Sequence, residues 1–218
     1  MSLFNGHDLL CIRGERRVFA GLGFTLRPGE ALILSGPNGS GKSSLLRLMA
    51  GLLKPASGSL AWDGEETKED PEAHNGRLHY IGHLDAVKPV LSVAENLSFW
   101  ASLRSAGPSP GAGPAAALEA FGIANLAEVP GRFLSAGQKR RLNLARVLAA
   151  PAPLWLLDEP ATALDRDAIA RLEKAIRIHR ATGGMVVAST HAEIGLEGAE
   201  VLELDRYAAG EVPGQAAW

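Results

Sequence analysis

A glycine-rich loop with a lysine and a serine is the part of this sequence best suited to chemistry. Residues 36–44 read Gly-Pro-Asn-Gly-Ser-Gly-Lys-Ser-Ser and fit the phosphate-loop pattern GxxxxGK[ST]. Its glycines allow backbone N–H groups to converge on a polyphosphate, which the N-terminus of a following helix also attracts. We expect Lys42 to reach the β- and γ-phosphates of a nucleoside triphosphate and the Ser43 hydroxyl to ligate Mg²⁺. The residues predicted to hold the nucleotide here are Gly36, Pro37, Asn38, Gly39, Ser40, Gly41, Lys42, Ser43 and Ser44.

Two adjacent carboxylates follow an apolar run later in the chain. Asp158 and Glu159 come directly after Leu-Trp-Leu-Leu at 154–157. At the carboxyl end of a parallel strand, such side chains emerge where ligands bind. Strand alternation should send them in different directions, so we expect Asp158 in the magnesium shell and Glu159 on the attacking water. Alone, the pair would favour carboxylates satisfied by local N–H groups; beside a phosphate loop, the catalytic interpretation is favoured.

A third segment combines a helix start with basic residues. Residues 134–138 read Leu-Ser-Ala-Gly-Gln and open an amphipathic helix that carries Lys139, Arg140 and Arg141. Ser135 is suited to the N-cap, which leaves N–H groups facing outward as an anion site requires. Alone, the pattern favours an ordinary capped helix with a solvated basic face.

The elements that would position these groups alternate between short apolar runs and helical patterns. This alternation predicts a mainly parallel sheet with crossover helices. The predicted core strands are 31–35, 153–158, 185–189 and 201–204.

Two regions depart from that alternation. Short runs at 9–13, 17–19, 24–26 and 59–62, separated by turn sequences, predict a small antiparallel layer. Residues 91 to about 150 read as helices. Their first helix opens with a Ser92–Glu95 capping box. A surface loop is predicted at 107–114, where Gly and Pro dominate.

Composition limits the possible classes. The 218 residues are 46% hydrophobic, which predicts one domain with a substantial core. A formal net charge of −2 gives no sign of a nucleic-acid-binding surface. No apolar stretch approaches the roughly 20 residues that span a bilayer, and the start has no secretory pattern, so we expect a cytoplasmic chain. The lone Cys11 is expected to be a small buried side chain.

The motifs occur in an order that resembles the nucleotide-binding domain of ABC ATPases. The resemblance rests on 36–44, 134–138, 154–160, 163–165 and His191, and it covers nearly the whole chain. It implies an α/β P-loop NTPase fold with a parallel core sheet, a small antiparallel β layer and an inserted helical lobe. Residues 1–218 would form a single ATP-binding domain, with the lobe at about 84–150. The implied reaction is Mg²⁺-dependent hydrolysis of ATP.

The same resemblance assigns roles to residues outside the phosphate loop. It implies that Ser135, with Gly137 and Gln138, contacts the γ-phosphate held by the phosphate loop of a second copy. Two sites would then form only in a head-to-tail homodimer. Asp165 would belong to the segment that crosses this interface, and His191 would contact the γ-phosphate.

Two positions differ from the usual family pattern. His83 stands where the family usually has a glutamine that senses magnesium and the attacking water. We expect His83 to take that catalytic role, with a dependence on pH near neutrality. Arg13 stands where an aromatic residue usually stacks on adenine, and a guanidinium can stack on a purine instead.

Within the family, segments 10–16, 81–88 and 134–141 resemble the ATPase of the haem exporter used in bacterial cytochrome c maturation. This implies that ATP hydrolysis is coupled to delivery of haem or its release onto a chaperone. The chain would be a peripheral homodimer at the cytoplasmic face of the inner membrane. Its implied partners are integral membrane subunits of the CcmB and CcmC type, with no nucleic acid.

Three alternatives remain open at this stage. One is an ATPase subunit of another importer or of a drug exporter with the same fold. Soluble ABC proteins that act on DNA or ribosomes share the core motifs, but they carry coiled-coil insertions or paired cassettes that this sequence lacks. A small-molecule kinase would leave 134–138, Asp165 and His191 without roles. No haem site is expected, because the remaining histidines form no ligand pattern and should lie on the surface: His7, His74, His79 and His179.

Overall fold

The computed structural model describes residues 2–103 and 113–208, so most of the predicted loop at 107–114 lies outside the described residues. Short 3₁₀ helices at Ala124–Leu126, Gly131–Phe133 and Leu204–Tyr207 accompany the regular elements. The helices and strands are β1 (Phe4–Arg13), β2 (Arg16–Leu26), β3 (Ala31–Ser35), α1 (Lys42–Met49), β4 (Ser57–Trp62), β5 (Glu65–Glu66), α2 (Pro71–Gly76), β6 (Leu78–Ile81), α3 (Val93–Ser102), α4 (Gly113–Ala120), α5 (Ala136–Ala149), β7 (Leu154–Asp158), α6 (Arg166–Ala181), β8 (Met185–Ser189) and β9 (Glu200–Glu203).

The core is a parallel sheet with the strand order β6–β7–β8–β3–β9, which confirms the predicted core strands. Strand β7 shows why its sequence is a continuous apolar run. Leu154 and Leu156 face one hydrophobic cluster, whereas Trp155 and Leu157 face the other. Both faces of the sheet are therefore buried, as is usual for parallel sheets with crossover helices.

The strand order brings the predicted chemical groups to one edge. Asp158 at the end of β7 pairs with Ser189 at the end of β8. On the other side of β8, Leu34 of β3 pairs with the same Ser189. The phosphate loop that follows β3 and the carboxylates that end β7 thus flank the carboxyl end of β8, where ligands bind in such sheets.

The predicted antiparallel layer is present, with the order β2–β1–β4–β5. The turns predicted before and after β2 are present, but the predicted break between 17–19 and 24–26 was wrong, because β2 runs unbroken through its glycines, and β1 begins at Phe4 rather than Leu9. Shifts in register between Gly6 and Leu9, and again after Leu9, absorb the irregular sequence. Such bulges bend a strand without ending it, so glycines here do not mark strand ends.

Capping boxes begin two of the helices. Ser92 and Glu95 cap α3 as predicted, and Ser135 and Gln138 cap α5 in the same way. Each pair satisfies two backbone donors that a helix start would otherwise leave unpaired. Among the described residues, none of the helices is both long and apolar enough to span a bilayer.

The expectation that His74 and His79 lie on the surface was wrong. Both are 3% exposed. His74 accepts a hydrogen bond from Trp62 Nε1 at 3.0 Å, its Nε2 lies 3.0 Å from the Met49 carbonyl, and burial lowers its pKa. His79 Nε2 likewise lies within hydrogen-bond distance of the Ala150 carbonyl. The partners of both rings are distant in sequence, so spacing along the chain does not reveal their burial. Cys11 is buried and free, as expected.

His179 makes the stability of the fold sensitive to acid. Its ring stacks on Trp155 with centroids 3.8 Å apart, and burial lowers its pKa to about 4. The unfolded chain binds this proton near pH 6.5, so the stabilisation is complete above that pH and is lost as pH falls towards 4. Each unit of pKa shift corresponds to about 1.4 kcal/mol, so the free energy of unfolding should fall by about 3 kcal/mol over this pH range.

We expect His179→Gln to flatten this dependence. The free energy of unfolding, measured in urea between pH 7.5 and 4, should fall less steeply in the variant than in the parent. Parallel curves for the two proteins would contradict the assignment, since other acid-sensitive groups are common to both.

Candidate nucleotide-binding site

The phosphate loop and the strand ends form a cleft of about 330 Å³. It gathers the lysine and serine of the loop with the two carboxylates, although they lie more than one hundred positions apart in sequence. The residues that line it are Arg13, Arg16, Val18, Asn38, Gly39, Gly41, Lys42, Ser43, Ser44, Asp158, Glu159 and Ser189.

The loop conformation depends on glycine at its last position before α1. Gly41 is the N-cap of α1 and has φ 107°, in the left-handed region. A Cβ there would lie 2.5 Å from Val18 Cγ1. The Lys42 ammonium donates to the Gly36 carbonyl at 2.6 Å and to the Pro37 carbonyl at 3.2 Å. The cation is thus held over the loop, beside the free N–H groups that begin the helix.

Ser43 and Asp158 supply oxygen ligands at adjacent positions. The Ser43 hydroxyl lies 3.1 Å from Asp158 Oδ1, and Ser189 donates to the same oxygen at 2.8 Å. Asp158 is 2% exposed, so its position is fixed by these partners. A hydroxyl beside a buried carboxylate is a donor set that suits Mg²⁺, which binds through few protein oxygens together with phosphates.

Glu159 diverges from Asp158 for a reason other than strand alternation. The strand ends at Asp158, and Glu159 has φ 47°, a left-handed conformation that is strained for a side chain with a Cβ. Its N–H donates to the Ser189 carbonyl at 2.9 Å. His191 Nε2 lies 3.7 Å from Glu159 Oε1, with the imidazole 73% exposed. Turn geometry therefore places the two predicted catalytic groups side by side, although His191 itself lines a different cleft, with Thr190 and Glu193.

Ser135, Gly137, Gln138 and Asp165 line a second cleft of about 430 Å³. None of the described residues lines both this cleft and the phosphate-loop cleft. Gly137 is required here, because a Cβ would lie 2.8 Å from the Ala163 carbonyl. Asp165 accepts from the Ala168 N–H, which with nearby cationic charge lowers its pKa. The structure therefore brings these four predicted residues into one cleft, but not into the cleft of the phosphate loop whose nucleotide they were predicted to contact.

The two unusual positions have different outcomes. Arg13 lines the phosphate-loop cleft opposite Arg16, its partner across the β1–β2 turn. His83 instead lines a third cleft, of about 720 Å³, with Trp100 and Arg146. In this conformation His83 is therefore outside the phosphate-loop cleft.

Sequence reasoning missed two residues that contact the site. Ser189 orients Asp158, and its position at the end of a predicted core strand was an available signal. Arg140 was interpreted as part of a solvated basic face, but it is 3% exposed and donates to the backbone around Glu159. No local signal marks that burial, because its acceptors lie 18 to 58 positions away.

His83→Gln is expected to retain ATPase activity within about tenfold of the parent. Glutamine can orient water by hydrogen bonding, whereas loss of an essential proton-transferring group would cost about 10²- to 10⁴-fold. Steady-state phosphate release together with nucleotide binding would measure both properties. Loss of binding in this variant would contradict the alignment that places His83 near the γ-phosphate.

Comparison with known proteins identifies the family. The family model described as "ABC transporter" matches residues 19–162, which include both the phosphate loop and the carboxylate pair. The chain belongs to the ABC transporter ATP-binding family. Membership makes it a nucleotide-binding, ATP-hydrolysing transporter subunit.

Curated relatives place the chain in one group of this family. It is 64% identical over 95% of its length to the cytochrome c biogenesis ATP-binding export protein CcmA of Rhodospirillum rubrum, covering 88% of that protein. It is also 64% identical to the CcmA of Paramagnetospirillum magneticum, with 96% of this chain and 97% of that protein covered. The chain is thus a member of the CcmA group of ABC ATPases.

Solved structures show the same fold. A putative ABC transporter ATP-binding protein from Pyrococcus furiosus superposes with a TM-score of 0.79 at 25% identity, covering 95% of this chain and all of that one. The parallel core sheet and the antiparallel layer described above therefore form the ABC ATPase fold.

Proposed function

We propose that the chain is the ATP-hydrolysing subunit of the haem exporter for cytochrome c biogenesis. The observation that carries this proposal is its 64% identity, over 95% of its length, to proteins named as cytochrome c biogenesis ATP-binding export proteins. The proposal places it at the cytoplasmic face of the bacterial inner membrane. There, hydrolysis would drive delivery of haem or its release onto a chaperone.

We assign each of the site residues a separate role in ATP hydrolysis. We assign Lys42 and the N–H groups of the loop to the triphosphate, where they balance the charge of the transferred phosphoryl group. Glu159 orients the attacking water and accepts its proton. His191 lies beside Glu159, and we assign it to contact with the γ-phosphate. Ser43 and Asp158 would hold Mg²⁺, which neutralises phosphate charge when bound.

A second copy of the chain would complete each site. The lining of the clefts supports this proposal, because none of the described residues lines both the Ser135 cleft and the phosphate-loop cleft, so one chain divides the predicted γ-phosphate contacts between two clefts. In a head-to-tail dimer, each Ser135 would face the loop of the other copy. ATP would then favour the closed dimer, since only that state contacts the nucleotide from both sides.

The third cleft is the surface that we assign to the membrane partner. It joins Leu52, just after α1, to Leu84 and Trp100, and these two leucines are 66% and 84% exposed. Arg146 lies over the Trp100 ring at 3.7 Å and adds a cation to the rim. An amphipathic segment of an integral subunit of the CcmB or CcmC type would bury the leucines and pair an acidic residue with Arg146.

Co-purification tests this function most directly. We expect the tagged chain, extracted from its native membrane in mild detergent, to carry integral proteins of cytochrome c biogenesis. Leu84→Asp should lose them while its basal ATPase rate persists, because Leu84 lies outside the phosphate-loop cleft. Recovery with ribosomes, or with an unrelated importer, would overturn the proposal.

A second experiment, genetic complementation, tests the proposed role in haem delivery. In a strain without its own copy, the chain should restore covalently bound haem in c-type cytochromes, as seen by haem staining. Glu159→Gln should fail to do so at equal abundance. Full restoration by that variant would separate ATP hydrolysis from cytochrome c maturation.

A further inference from the structure

Arg140 is a buried cation whose partners are almost all backbone carbonyls. It lies in the second turn of α5 and is 3% exposed. Its five N–H groups make five hydrogen bonds, to the carbonyls of Asp158, Glu159, Pro160 and Gly82 and to the Asp85 carboxylate, over 2.7 to 3.2 Å. A guanidinium presents these donors as a fixed planar fork, a geometry that a lysine ammonium cannot reproduce.

Three of the acceptors are consecutive residues around the strained turn. The carbonyls at 158, 159 and 160 converge on the guanidinium through Nη2 and Nε. Glu159 is therefore held from both sides, with its carbonyl on Arg140 and its N–H on the Ser189 carbonyl. Left-handed backbone at a residue with a Cβ is strained and persists only where its surroundings fix it.

The other two acceptors belong to the segment that contains His83. Nη1 donates to the Gly82 carbonyl at 2.8 Å and to Asp85 Oδ1 at 3.2 Å, and Asn143 also donates to that carboxylate oxygen. This segment lines the third cleft. One side chain thus joins the start of α5, the Glu159 turn and the wall of that cleft.

We propose that Arg140 is a positioning residue for ATP hydrolysis, which sets the Glu159 turn and ties it to the 82–85 segment. It does not line the phosphate-loop cleft, so it acts through Glu159 rather than on the nucleotide. A displacement of the 82–85 segment, or of α5, changes the hydrogen bonds that fix Glu159. The inference rests on the catalytic role proposed for Glu159.

The test is Arg140→Lys in the purified full chain, which keeps the positive charge and removes the fork. We expect kcat for ATP to fall about 10- to 100-fold, because small misplacements of a catalytic group have effects of this size. Nucleotide affinity should stay within about threefold, since the phosphate loop is untouched. Hydrogen exchange should rise in peptides that cover 82–88 and 157–163.

Arg180→Lys is the matched control. Arg180 also bridges backbone carbonyls, those of Gly29 and Glu197, but away from the site. It should lose thermal stability without a change in kcat of the folded protein. An unchanged kcat in Arg140→Lys, or an equal fall in kcat and nucleotide affinity, would overturn the proposal.

Asp85→Asn keeps the proposal testable if Arg140→Lys does not fold. Asp85 is part-exposed, and the amide retains an acceptor while removing the charge. We expect a smaller fall in kcat, with nucleotide affinity retained, and a parental kcat would overturn the proposal. Glu159→Gln is assayed alongside. If it is fully active, the role of Glu159 fails, whereas an inactive Glu159→Gln beside a fully active Arg140→Lys refutes only the positioning role.

Discussion

Glu159→Gln is expected to lower the ATP turnover number by about 10²- to 10⁴-fold, the range for removal of a general base. The substitution keeps the shape of the side chain and the left-handed turn at φ 47°, so nucleotide should still bind. Because Lys42, Ser43 and Asp158 remain in place, affinity for Mg·ATP should change little. Phosphate release and nucleotide binding on the same preparation measure the two quantities.

The same variant should accumulate as a dimer in ATP. If hydrolysis opens the closed state, then a chain that binds but does not hydrolyse remains closed. Sedimentation velocity with ATP, and with ADP as the control, would show the shift. Parental turnover would remove Glu159 as the catalytic residue, and a monomer in saturating ATP would argue against closure of two copies around nucleotide.

Much of the fold could be predicted because its strands are short apolar runs bounded by turn residues. Residues 185–189 match β8 at both ends, and the phosphate loop lies between β3 and α1 as expected. The sequence does not show the strand order, which decides that Ser189 meets Asp158. Contacts of that kind depend on which strands neighbour one another.

Arg140 and His83 show where sequence patterns stop being informative. The run of three cations at 139–141 is typical of a solvated helix face. Sequence does not reveal that Arg140 is buried, because its burial depends on carbonyls from two distant segments. His83 was predicted from the family resemblance to sense the nucleotide, yet its side chain lines another cleft in this single chain. Arg140 contacts the segment that contains His83 through the Gly82 carbonyl and the Asp85 carboxylate, which lie 58 and 55 positions away in sequence.

Mixing two inactive variants should restore activity if each site combines two copies. Lys42→Ala removes the charge on the triphosphate, which should weaken nucleotide binding by about 10- to 100-fold. Ser135→Asp retains an N-cap for α5 and places a negative charge where the partner's γ-phosphate would lie. Each variant alone should be nearly inactive.

The mixture is expected to recover about a quarter of the parental rate. Half of randomly assorted dimers contain one copy of each variant, and such a dimer has one intact site of two. In that site, the parental loop of one copy faces the parental Ser135 of the other. Ser135→Asn, which caps the helix without charge, is the control and should lose much less activity.

Recovery on mixing would establish that the Ser135 cleft and the phosphate-loop cleft belong to one functional site. No recovery at any ratio, with both variants folded, would place the whole site within one chain. It would then require Ser135 to reach its own loop, a rearrangement that the separate clefts of the described residues do not favour. That none of the described residues lines both clefts is thus the physical argument for a second copy.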